Sequence, residues 1–159
     1  MKNFKIAAKI RIFSYNELQM DEKKLIDCAK GACYRSYAPY SQFQVGAAVL
    51  LANGEMVAGS NQENVAFPSG LCAERTALFY ANSQYPDQAV KSLAVAAYTH
   101  GDFIDKPVSP CGACRQVILE IEKRFKNPVR IYLYGKAEIY VIEGIEDLLP
   151  LAFNTINKN

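Results

Sequence analysis

The sequence predicts a single α/β domain in which a five-stranded sheet is layered by helices. Three observations predict it. Short strand-like runs alternate with longer helical patterns, and no internal repeat or linker divides the chain. The 159 residues, 50% of them apolar and 21% charged, can also bury one core without disulfide staples.

Residues 4–12 place Phe4, Ile6, Ala8, Ile10 and Ile12 on one side and Lys5, Lys9 and Arg11 on the other, a period of two that predicts an arm or edge strand. Residues 1–16 are therefore set apart from a domain over residues 17–159. Asp21 and Glu22 lead a helical pattern whose inner face is Leu25, Ile26, Ala29, Ala32 and Cys33, ending before Pro39. Residues 43–51 form an apolar strand, and Asn53-Gly54 predicts a tight turn with two positive-φ residues before a strand over residues 56–60. A loop over residues 61–71, carrying Pro68 and Gly70, delivers the chain to a helix that opens at Cys72. A strand over residues 91–98 and a loop over residues 99–110 lead to a second helix, opening at Cys111. Strands over residues 129–134 and 138–142 and a brief helix over residues 146–149 follow.

A formal net charge of +2, with Lys and Arg scattered among acids, argues against a nucleic acid polymer as partner. The longest apolar runs fall well short of the roughly 20 residues that cross a bilayer. The N-terminal stretch lacks an uninterrupted apolar segment and a small-residue cleavage site, so a cytoplasmic protein is expected.

The five cysteines are an odd count for a disulfide framework, and their spacing points to metal ligation. Cys111 and Cys114 form a Cys-x-x-Cys turn able to grip one side of a tetrahedral zinc, and Cys72 can supply a third ligand, leaving one position open. Both groups lie at helix starts, where unpaired N–H groups and the helix dipole favour thiolates. Glu74, two residues from Cys72, can reach a water at the open position without ligating the metal, which suits a general acid and base. The competing reading is a structural zinc closed by Cys28, Cys33 or His100, or three core cysteines.

The stretches YAPYSQFQVGAAVL, GSNQENVAF, CAERTAL, SPCGACRQV and DLLPLAF, spread over residues 37–153, resemble the successive signatures of cytidine deaminases. The variety with three cysteine ligands is the small homotetrameric one. The resemblance implies a three-layer α/β/α fold with a five-stranded mixed sheet, one Zn²⁺ per subunit held by Cys72, Cys111 and Cys114, and Glu74 as the catalytic proton carrier. It implies hydrolysis of cytidine and deoxycytidine to uridine and deoxyuridine plus ammonia, in pyrimidine salvage. Arg75 is expected to offset the charge of three thiolates, with Pro110 beside it in support of the site. For the small-molecule nucleoside, the resemblance assigns Asn61 and Glu63 to the ribose hydroxyls and Phe43 to the pyrimidine ring. It assigns Ala73 and Ser109 to polar contacts with the base, and Phe153 to the active site of a neighbouring subunit in a tetramer with shared sites. Phe67 stands where the family often has Tyr, and the N-terminal arm and residues 101–108 look longer than in compact members.

Overall fold

The structure is a computed structural model that describes residues 1–154; residues 155–159 of the expected domain lie outside the described part. Strands β1 (Arg11–Phe13), β2 (Gln44–Leu51), β3 (Met56–Ser60), β4 (Val90–Thr99), β5 (Asp102–Phe103), β6 (Arg130–Tyr134) and β7 (Ile139–Ile142) form one sheet. Its order is β1-β7-β6-β4-β2-β3, with β5 pairing on β4. The β4–β6 pair is parallel and the other pairs antiparallel, so the sheet is mixed. It has seven strands where five were expected.

The two extra strands come from the segments that looked long in sequence. The loop after β4 turns at His100 and Gly101, both with positive φ, and returns along β4 as β5. Phe103 then sits edge-on to Tyr98 and Tyr134, with centroids 5.2 and 5.7 Å apart, and Lys136 holds Asp102 and Asp105 by ion pairs. In the N-terminal arm, the strand pairing covers Arg11–Phe13 and ends at Arg11↔Val141, while the Lys9 amide donates to the Asp147 side chain. The apolar stripe upstream stays exposed, Phe4 by 81% and Ile12, inside the strand, by 61%.

Alternation along the strands divides the core into two layers. Ala47, Val49 and Leu51 of β2 join Leu93 and Val95 of β4 beneath helices α2 (Ala73–Gln84) and α3 (Gly112–Phe125). Ala48, Ala94 and Ala96 face the other way, against Leu25, Ile26, Ala29 and Cys33 of helix α1 (Met20–Cys33). This is the expected α/β/α arrangement. Two glycines set the closeness of the layers. A Cβ on Gly46 would lie 2.1 Å from the Ala29 carbonyl oxygen of α1, and one on Gly59 would lie 2.4 Å from the Ala77 nitrogen of α2. Gly59 thereby seats the first turns of α2, and with them Cys72 and Glu74, directly on the sheet.

Two local expectations are corrected. The β2–β3 turn has one positive-φ residue, Gly54, because Leu51 to Gly54 forms a hydrogen-bonded turn in which the Gly54 amide donates to the Leu51 carbonyl at 3.0 Å. Three loop residues thus separate the paired Leu51 and Glu55, an arrangement that needs left-handed backbone only at the glycine. Asn53 instead accepts a hydrogen bond from the Glu55 amide through its side chain. The brief last helix is a single 3-10 turn, Ile145–Asp147, cut short before Pro150.

Candidate active site

The N-termini of α2 and α3 converge above the sheet. Cys72 and Cys111 are their N-cap residues in extended conformation, and Cys114 lies in the first turn of α3, fully buried. The Cys72 and Cys111 sulfurs are 3.7 Å apart, those of Cys111 and Cys114 are 3.5 Å apart, and all three lie within 4.8 Å of one another. Zinc bonds of ~2.3 Å in tetrahedral geometry place sulfurs roughly 3.8 Å apart, so the spacing fits zinc. Cys28 and Cys33 are outside this group. Cys33 is buried against the Ala96 carbonyl, and burial pushes its thiol up to about 11.

The sulfurs' acidities point the same way. The Cys72 thiol is held down at about 5, first by hydrogen bonding from Cys114 and then by Arg75, whereas that same hydrogen bond and burial push Cys114 up. The Cys72 and Cys114 thiols thus oppose each other's ionisation, and a divalent cation between thiolates relieves that opposition. Arg75 places its Nη2 3.5 Å from the Cys72 sulfur, while its buried Nε has no partner among the described residues.

Glu74 is one of two buried polar residues among those described, only 5% exposed. Burial raises its carboxyl above the usual range and the nearby Cys72 charge adds to this, while the Cys114 thiol partly opposes it. A buried carboxyl of weakened acidity therefore stands against the sulfur cluster.

A cleft of about 520 Å³ opens beside this cluster, with Tyr40, Asn61, Glu63, Phe67, Cys72 and Arg75 among its lining. The Glu63 Oε2 accepts hydrogen bonds from the Tyr40 and Ser41 amides at 2.9 and 3.2 Å. The Ser41 hydroxyl, more than these amides, holds its carboxyl below the usual range. Asn61 is largely committed to the fold. Its Oδ1 accepts from the Val45 amide and the Ser36 hydroxyl, and its Nδ2 donates to the Phe43 carbonyl, leaving one N–H. Ala73 is buried, Ser109 is exposed, and Phe153 is 71% exposed, its carbonyl accepting from Gln116. Among the described residues, Phe43, Ala73, Ser109 and Phe153 do not line the cleft. Tyr40 and Phe67, whose rings meet edge-on at 6.1 Å, line it without having been selected as contacts from sequence. Phe67, four residues after Glu63, was the available signal; Tyr40 reaches the cleft only through the fold.

A model of the cytidine and deoxycytidylate deaminase zinc-binding region matches residues 19–127. The chain belongs to that family. It is 52% identical over 135 residues to a cytidine deaminase of Sporosarcina psychrophila, covering 85% of this chain and 93% of the relative. It is 41% identical over 141 residues to that of Halalkalibacterium halodurans, covering 88% and 99% of the two chains. The crystal structure of cytidine deaminase from Burkholderia pseudomallei superposes with a TM-score of 0.72 at 38% identity, covering 86% of this chain and all of that one. That from Mycobacterium tuberculosis gives 0.67 at 34% identity. Membership in a zinc-binding family and the three-sulfur cluster together assign zinc as the cofactor. No helix of the described residues is long and apolar enough to cross a membrane.

Proposed function

We propose that the chain hydrolyses cytidine, and deoxycytidine with it, to the corresponding uracil nucleoside and ammonia, with Cys72, Cys111 and Cys114 holding zinc and Glu74 carrying the protons. The observation that carries this is Glu74, buried in the first turn of α2 beside three sulfurs at zinc-binding spacing. Bound zinc supplies Lewis acidity that brings water towards hydroxide at neutral pH.

The chain's own residues account for the rest. Glu74 takes a proton from the attacking water and passes it to ring N3, which makes C4 electrophilic. As the C4–N bond breaks, Glu74 takes the remaining proton from the new C4 hydroxyl and delivers it to the departing amine, which leaves as ammonia while water's oxygen stays as the C4 carbonyl. Arg75 offsets the negative charge that three thiolates place on the site. Glu63 has Oε2 occupied by amides and Oε1 available to accept from a ribose hydroxyl, while Asn61 offers its remaining N–H. Phe43, Ala73 and Ser109 belong to the base-binding side in this reading.

The same reading makes residues 17–159 the catalytic unit, at work on a small nucleoside in cytoplasmic pyrimidine salvage. The unit assembles as a homotetramer in which Phe153 of one chain enters another chain's cleft. The 71% exposure of Phe153, the 77% exposure of Phe67 and the openness of the cleft between Tyr40 and Glu63 support this assembly.

Loss of ultraviolet absorbance from cytidine and deoxycytidine, read alongside zinc content, tests the proposal. Glu74→Gln should keep zinc and fold but lose at least about 10²–10⁴-fold in turnover. Full activity in that variant would remove Glu74 from the mechanism.

A further inference from the structure

We infer that Arg115 is a positioning residue that ties the metal-binding loop to the C-terminal segment carrying Phe153, so that one side chain governs both the chain's own metal site and the aromatic it offers to a neighbour. The first half stands on geometry alone; the second rests on the proposed role of Phe153.

Arg115 follows Cys114 in the first turns of α3, and its guanidinium forks between two backbone carbonyls far apart in sequence. Its Nε donates to the Pro110 carbonyl at 2.8 Å, in the peptide that leads directly into Cys111. Its Nη1 donates to the Leu148 carbonyl at 2.6 Å, just after the 3-10 turn Ile145–Asp147. Both are charge-assisted bonds from a planar, rigid fork, which fixes the two carbonyls relative to each other as a single-headed lysine would not. The Leu148 side chain is 7% exposed in the core beneath α3, so this end of the fork is anchored.

Neighbouring side chains extend the seam in both directions. Gln116 donates to the Phe153 carbonyl at 2.8 Å, and Glu122, farther along α3, accepts from the Ile145 amide at 3.0 Å. The backbone of Phe153 is thus stitched to the metal-binding helix while its ring stays exposed. Lys9 of the N-terminal arm closes the far side, donating from its amide to Asp147 at 2.8 Å. Arg115 is the member of this seam that touches the ligand loop itself.

The sequence contains no Trp, so Phe153→Trp places a lone indole, excited selectively above the tyrosine absorption, at the end of the seam. In that zinc-loaded protein, Arg115→Lys should speed zinc transfer to the chelator 4-(2-pyridylazo)resorcinol by about tenfold or more, the scale on which outer ligand supports act. It should also lower the fluorescence anisotropy of the indole. Gln116→Ala should lower the anisotropy with zinc transfer unchanged. If Arg115→Lys moves only one of its two readouts, or neither, the coupling is overturned. Hydrogen exchange on the unsubstituted holoenzyme decides independently of whether the Arg115 variant folds: the amides of Arg115, Leu148 and Leu149 should open together, and opening rates differing more than about tenfold would contradict the link. An unchanged KM in Phe153→Ala would defeat the shared-site reading alone, because no readout here uses substrate.

Discussion

The metal cluster and the cleft beside it are built in opposite ways. The cluster uses two helix starts pressed onto the sheet, with Cys114 and Glu74 buried and every group supplied by one chain. The cleft is walled by loop residues, several of them exposed aromatics, and its polar groups hang on backbone amides. The difference teaches that the groups proposed for the reaction are all set inside the protomer, whereas the walls of the cleft stand open at its surface, where the proposed assembly would bring a neighbour.

The largest effect should come from the cluster. Cys111→Ser should abolish zinc retention and bring deamination to background, as read by metal analysis and absorbance. Retained zinc with full turnover would mean that the cluster is not the metal site. Next comes the proposed ribose grip. Glu63→Gln should cost roughly 10–100-fold in kcat/KM for cytidine, the scale of a charged hydrogen bond, mainly through KM. A kcat loss equal to that of Glu74→Gln would erase the division between the two regions.

Gly59→Ala probes the scaffold beneath the cluster. With backbone atoms of α2 at 2.4 and 2.8 Å from the new methyl, α2 must shift, and unfolding should be easier by about 1–3 kcal/mol. Thermal unfolding of the holoenzyme measures it. The smallest effect belongs to Phe67→Tyr, which adds a hydroxyl at the exposed rim and should change kcat by less than about twofold, with any gain confined to KM or assembly.

The metal cluster was legible in sequence because its geometry is local. Cys-Ala-Glu at one helix start and Cys-x-x-Cys at another fix ligand spacing within a single turn each, and only their meeting depends on the fold. The cleft was legible mainly through family resemblance. Its shape depends on how the 61–71 loop docks, through bridges of Gln62 to Tyr37 and to Leu71, and periodicity carries no such information. Asn61 illustrates the gap, since three hydrogen bonds give it a structural duty at the entrance to β2 that its residue type alone does not announce. The alternation over residues 4–12 marked an arm or edge strand, of which Arg11–Phe13 is the part that pairs, whereas Asp102–Phe103 is too short to show a period and pairs where β4, at Tyr98 and Thr99, runs past the residues that β6 pairs. Arg115 escaped notice because its two partners are carbonyls, which leave no side-chain signature.

The division between private chemistry and shared recognition meets its most direct test in mixed assemblies. Glu74→Gln chains carry an intact Phe153, and Phe153→Ala chains carry an intact Glu74. Co-refolded or co-expressed at equal amounts, they should regain cytidine turnover at low KM that neither variant has alone, because some clefts then combine the working Glu74 of one chain with the Phe153 of another. Activity equal to the sum of the two separate variants, in assemblies verified to contain both chains, would contradict a cleft completed between subunits.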